Sequence, residues 1–150
     1  MDLRQLTSKV SVSAQVTQGD VAAIAAKGFT HIINNRPDGE SEDQPASVEI
    51  LKACSDESLL YRYIPVVGSA VTEKDISEFR EAIDTAQGTI LAFCRTGTRS
   101  TILWALSHTD IYTPQELISI AAQAGYDIKD LEPVLDMRRQ QHLGGNYVQA

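Results

Sequence analysis

A chain of 150 residues, 43% hydrophobic and 22% charged, has the length and composition of one globular domain that buries a core without disulfides or metal. Twenty Asp and Glu against thirteen Lys and Arg leave a net charge of −7, which repels phosphate backbones and anionic lipids and so argues against nucleic-acid and membrane partners. Cys54 and Cys94 show no framework spacing, Met1 to Gln5 carries no basic-then-apolar leader, and no apolar run reaches bilayer length, so free thiols in a reducing cytoplasm are expected.

No internal repeat, low-complexity tract or linker divides the chain, and residues 1–150 read as a single domain. Ser11 to Val16 alternates as an edge strand. Thr17 and Asp20 form a capping box for a helix over Gly19–Lys27, closed by Gly28. Phe29 to Asn34 reads as a buried strand, followed by the turn-rich Asn35-Arg36-Pro37-Asp38-Gly39-Glu40. Pro45 opens a helix to about Asp56 with Val48, Leu51 and Ile50 as its apolar face, and Leu59 to Val66 is the next strand. Thr72 and Asp75 make a second capping box, for a helix striped by Ile76, Phe79 and Ile83.

Gly88 precedes a short apolar strand over Thr89–Phe93 that ends on Cys94, and Thr101 to Ser107 continues as an apolar helix. Thr113, Pro114 and Glu116 start a helix that stops before Gly125. Asp130 begins the last helix, to about His142, and Gly144-Gly145-Asn146 is expected to be a loose tail. Strands alternating with helices predict an α/β domain with a mostly parallel sheet flanked by helices. Ligands in such sheets bind past the carboxyl ends of strands, where Cys94 lies.

The run Cys94-Arg95-Thr96-Gly97-Thr98-Arg99-Ser100 carries the chemistry. A helix N-terminus offers unpaired N–H groups and the positive end of its dipole, and Gly97 is free to turn further amides inward. Such a nest, with nearby cations, lowers a thiol from about 8.5 to roughly 3.5–7.5 and makes it a nucleophile. Arg95 and Arg99 supply guanidiniums, and Thr96, Thr98 and Ser100 supply hydroxyl donors for an oxyanion. The plain alternative, a buried strand-end cysteine before a polar loop, leaves two arginines, a glycine and three hydroxyls unexplained.

This loop resembles the active loop shared by rhodaneses and cysteine-dependent phosphatases. The wider chain resembles the bacterial beta-lactamase hydrolase-like protein, phosphatase-like domain family. That likeness rests on Ile33-Asn34-Asn35-Arg36-Pro37-Asp38, on Ile64-Pro65-Val66, on the loop, and on Ala122-Gln123-Ala124-Gly125. It covers roughly Val12 to Leu135 and implies the fold of small dual-specificity phosphatases.

Three features favour sulfur transfer over phosphoryl transfer. Cys94 and Arg99 are separated by one residue fewer than in cysteine phosphatases, as in rhodaneses. The position matching a phosphatase's aspartic acid is Gly68, in Val67-Gly68-Ser69, and the histidine that usually precedes the cysteine is replaced by Phe93. A missing general acid costs roughly 10²–10⁴-fold in phosphatase rate, whereas sulfite leaves thiosulfate without a proton. The expected activity is therefore a sulfurtransferase. It moves a sulfane sulfur from thiosulfate or a persulfide, through a Cys94 persulfide, to an acceptor thiol such as glutathione. The alternative is a phosphatase-type hydrolase of phosphate monoesters through a Cys94 phosphocysteine.

Arg36 follows a strand end, where it reaches either the same anion or a structural carboxylate. Asp38 either orients an arginine or begins the turn, the turn being favoured, and Asp75 either substitutes as the acid or caps its helix, the cap being favoured. His31, His108 and His142 are scattered without metal-ligand spacing, and no phosphate-loop lysine or dinucleotide fingerprint occurs, so neither metal nor cofactor is expected.

Overall fold

The protein, represented by a computed structural model that describes residues 1–148, gathers its apolar runs into one sheet. The strands are β1 (Arg4–Gln5), β2 (Val10–Ser13), β3 (Phe29–Asn34), β4 (Leu60–Tyr63) and β5 (Thr89–Phe93), in spatial order β1-β2-β5-β3-β4. β5 pairs in parallel with β2 on one side and β3 on the other, and β3 pairs in parallel with β4. Only β1 is antiparallel. The helices are α1 (Gln18–Ala26), α2 (Ser47–Asp56), α3 (Glu73–Thr85), α4 (Thr98–Leu106), α5 (Pro114–Gln123) and α6 (Glu132–Val148), with a 3-10 turn at Lys129–Leu131.

Alternation along the strands divides the core in two. Ile32, Leu91 and Phe93 pack beneath α1 and α2 with Val21, Ile24, Ile50 and Cys54. Their strand neighbours Ile33, Ile90 and Ala92 pack on the other face with Phe79, Leu103, Trp104, Leu117 and Leu135. A sheet covered on both faces needs apolar side chains in both directions, which is why these strands read as continuous runs. The expected α/β class, with a mostly parallel sheet and helices on both sides, is what the chain adopts.

Four local expectations change. The strand near Ser11 is not an edge: Thr7 Oγ1 accepts from the Lys9 and Val10 N–H groups (3.2 and 3.1 Å), and this turn folds β1 back against β2. On α2, Ile50 and Cys54 point inward one turn apart, whereas Val48 and Leu51 are exposed, so the face is rotated from the expected one. Helix α4 starts three residues early, at Thr98, because Gly97 turns the chain directly into it. Helix α6 continues through Gly144 and Gly145 to Val148, where a loose tail was expected; residues 149 and 150 lie outside the described residues.

Leu91 is fully buried on the central strand. Leu91→Ala is expected to lower unfolding free energy by about 2–5 kcal/mol in a denaturant titration, and a loss below about 1 kcal/mol would contradict this placement.

Candidate active site

Strand β5 delivers Cys94 to the carboxyl end of the sheet, and the chain then turns sharply into α4. Gly97 makes that turn with φ +96°, in the left-handed region. Its N–H donates to Cys94 Sγ at 3.1 Å, so the thiol sits in a backbone cradle at a helix start. Thr101 Oγ1 donates to the Gly97 carbonyl at 2.8 Å and fixes the first turn of α4. From outside, the Tyr126 hydroxyl donates to the Thr96 carbonyl at 3.1 Å. A Cβ on Gly97 would collide with that hydroxyl and come within 3.2 Å of the Ser13 carbonyl.

Arg99 lies on the first turn of α4, largely buried. Its Nη1 donates to Glu40 Oε2 (2.6 Å) and to the Val66 carbonyl (2.8 Å), and its Nη2 donates to Glu40 Oε1 (2.8 Å). Three of its five donors are thereby spent. Nε–H and the second Nη2–H have no oxygen acceptor among the described residues, Cys94 being the other group within the guanidinium's hydrogen-bonding reach, and this pair is the edge that grips an oxyanion bidentately. The guanidinium's pKa is pushed up first by the hydrogen bond to Glu40, and Cys94 beside it acts in the same direction. Glu40 thus orients the arginine and leaves its second edge open.

Arg36 shares that carboxylate. Its Nε donates to Glu40 Oε1 (3.0 Å), Nη1 to Gln15 Oε1 (2.9 Å) and Nη2 to Ser41 Oγ (3.3 Å), with the residue only 4% exposed. Of the two expectations for Arg36, the carboxylate contact is the one present. The two guanidiniums hold Glu40 down at about 2, the Arg99 hydrogen bond contributing most.

The remaining loop residues separate in role. Ser100 is fully buried and donates to Asn35 Oδ1 (2.8 Å), while Asn35 Nδ2 donates to the Ile64 carbonyl (2.9 Å), so this hydroxyl ties α4 to the sheet and has no free path to a substrate. Thr96 and Thr98 are exposed, their hydroxyls 3.1 Å apart. Arg95 is exposed on the rim of a cavity that Arg36 also lines. Cys94, Gly97 and Arg99 converge as the sequence implied.

No carboxylic acid takes the general-acid place. The segment after β4, Val67-Gly68-Ser69, has no carboxylate, and Asp75 caps α3 by accepting from the Thr72 N–H at 3.0 Å. Asp38 sits in the turn after Pro37, and its carboxylate accepts from the Ser47 N–H (2.7 Å), holding the start of α2. No group of three or more His, Cys, Asp or Glu among the described residues is placed to hold a metal ion. Glu40, Asn35 and Tyr126 were not assigned a role from the sequence. Glu40 had a signal there in its i,i+4 spacing from Arg36, and Asn35 in the family-like stretch that contains it.

A parallel sheet whose central strand ends on a cysteine, cradled by a helix start with an arginine one turn on, defines a cysteine-phosphatase-type domain. The chain belongs to the beta-lactamase hydrolase-like protein, phosphatase-like domain family, whose sequence profile matches residues 2–111. It is 36% identical over 107 residues to a beta-lactamase hydrolase-like protein of Xylella fastidiosa strain Temecula1, covering 71% of this chain but 25% of that protein. The chain therefore spans about a quarter of the length of the curated relatives it matches. A candidate phosphatase of Neisseria meningitidis superposes with TM-score 0.83 at 32% identity, over 93% of this chain and 99% of that one. PTPMT1 in complex with PI(5)P superposes at 0.75 with 14% identity, over 97% and 99% of the two chains, a likeness of fold alone. These neighbours stand on the phosphatase side; none of them supports the sulfur-transfer expectation. No helix among the described residues is long and apolar enough to cross a membrane.

Because Glu40's folded pKa lies below its ordinary 4.5, its stabilising contribution is complete above that value and is lost as pH falls through about 2. Glu40→Gln is expected to flatten the acid limb of a stability-versus-pH curve across that window; an unchanged limb would show the clamp to be absent. Gly97→Ala is expected to abolish anion binding at the loop, measured by calorimetry with inorganic phosphate, because a side chain fits neither the φ nor the space under Tyr126.

Proposed function

We propose that this domain is a cysteine-dependent hydrolase of phosphate esters that works through a Cys94 phosphocysteine. The observation that carries the reading is Cys94 Sγ held by the Gly97 amide beside an Arg99 whose Nε–Nη2 edge is open. The thiolate attacks phosphorus, the S–P bond forms, and the P–O bond to the leaving group breaks with its electron pair on oxygen. Water then attacks phosphorus, and the S–P electrons return to sulfur. The loop amides and Arg99 stabilise the charge on the equatorial oxygens throughout.

With no acid to protonate the leaving oxygen, the domain acts on esters whose leaving groups depart as stable anions. Glu40 stays ionised and does not substitute. Sulfur transfer from thiosulfate or a persulfide to a thiol acceptor is the second reading. The four residues between Cys94 and Arg99, one fewer than in cysteine phosphatases, favour it.

Aryl phosphate hydrolysis is expected to exceed alkyl phosphate hydrolysis by about 10²–10⁴-fold, the usual worth of a general acid. Arg99→Ala is expected to lower kcat on the aryl ester by about 10²–10³-fold, and Cys94→Ser to remove it. Mass spectrometry of the quenched reaction separates the two readings. A phosphoryl group on Cys94 supports hydrolysis; one added sulfur after thiosulfate treatment, with no phosphoryl adduct, would replace it with sulfur transfer.

A further inference from the structure

Beside the active loop lies a polar cavity of about 310 Å³ that no step above uses. Arg36 lines it from within and Arg95 from the rim, together with Gln15, Ser41, Asp43 and Gln44. Two residues, Gln15 and Glu40, tie it to the reacting centre. Gln15 N–H donates to the Arg95 carbonyl (3.3 Å) while Gln15 Oε1 receives Arg36 Nη1 (2.9 Å), and Glu40 Oε1 is shared by Arg36 and Arg99.

The charges in this cavity are unbalanced. Arg36, although buried, spends three of five donors on protein acceptors and keeps two. Arg95 makes no ion pair among the described residues. The one carboxylate here besides Glu40 is Asp43, whose partner is the Ser41 hydroxyl at 2.8 Å. Asp43 is held below its usual range first by that hydroxyl and its own backbone amide, then by the fields of Arg36 and Arg95. A spare cationic surface so close to the loop, on a chain of net charge −7, is a local attraction for anions.

We propose that this cavity is a second anion subsite, so that the preferred substrate carries a further anionic group next to the phosphoryl group that Cys94 receives, as in a phosphoanhydride. The inference rests on the hydrolase reading and deepens it by naming the substrate class. A phosphoanhydride also suits a site without a general acid. When the S–P bond forms and the bridging P–O bond breaks, the electron pair stays on a phosphate oxygen that departs as an anion, and no proton is required. An alkyl phosphate would need that proton and would leave the Arg36–Arg95 cavity empty. The subsite therefore selects by charge at the same place where the missing acid selects by leaving group.

The test uses calorimetry on the Cys94→Ser protein with two probes, inorganic phosphate and inorganic pyrophosphate. Pyrophosphate is expected to bind about tenfold more tightly than phosphate, with Arg95→Ala reducing that ratio to about threefold or less and Asp43→Asn enlarging it. Equal binding of the two probes, or a ratio untouched by both substitutions, would overturn the subsite. Hydrolysis of an aryl phosphate by the unmodified chain is read separately. If hydrolysis is present and the binding ratio absent, the subsite fails while the hydrolase stands. If the ratio is present and hydrolysis absent, the subsite stands and the reaction assigned to Cys94 is wrong.

Discussion

The site is organised around one carboxylate. Glu40 is gripped by Arg99 through two hydrogen bonds and by Arg36 through a third, and without it two guanidiniums would face one another at the rim of the nucleophile's cradle. Like charges about 4 Å apart near a protein surface repel by about 4 kcal/mol, a cost that the carboxylate between them offsets. The shared anion turns that repulsion into a fixed arrangement. It also spends the outer edge of Arg99 and so determines which edge faces the loop. The same contact joins the loop after β3 to the first turn of α4, elements distant in sequence.

The thiol's position depends on a second, purely steric constraint. β5 is central and flanked in parallel on both sides, so its carboxyl end is fixed by two neighbours. From there the chain enters α4 only by way of a left-handed residue, and Gly97 is the residue that adopts it without a clash. Asn35 and Ser100 close the base of the turn, and Tyr126 closes its outer wall. Each of these side chains is spent on protein. That leaves the sulfur with its Gly97 amide and one arginine edge as the reacting surface.

Much of this was legible in the residues, and the rest was not for identifiable reasons. β3 and β5 fall on Phe29–Asn34 and Thr89–Phe93 as read, because a strand buried on both faces is a short continuous apolar run. The capping boxes at Thr72 and Thr113 are present, being local in sequence, while at Thr17 only the Asp20 carboxylate half forms. α2 was misassigned in face because Val48 and Leu51 match the period of Ile50 and Cys54, and composition does not say which stripe the sheet covers. Cys94, Gly97 and Arg99 were legible because they lie within six residues. Glu40 was not, since its second partner is 59 residues away and long-range pairing leaves no trace in spacing. Ser100 was given to the substrate for the same reason: its acceptor, Asn35, lies 65 residues back.

The missing proton donor bears on both chemistries equally and so does not choose between them. Sulfite leaving sulfur and phosphate leaving phosphorus are both anions that need no acid, so the absence of a carboxylate after β4 narrows the leaving group and is silent on the atom attacked. The choice must come from features that treat the two centres differently. The likeness at 32% identity to a candidate phosphatase of Neisseria meningitidis is one. The cationic cavity beside the loop, about 310 Å³, is the place proposed for a second oxyanion, which a phosphoanhydride supplies. Thiosulfate carries its oxyanion on the sulfur that leaves and has no further group to place there.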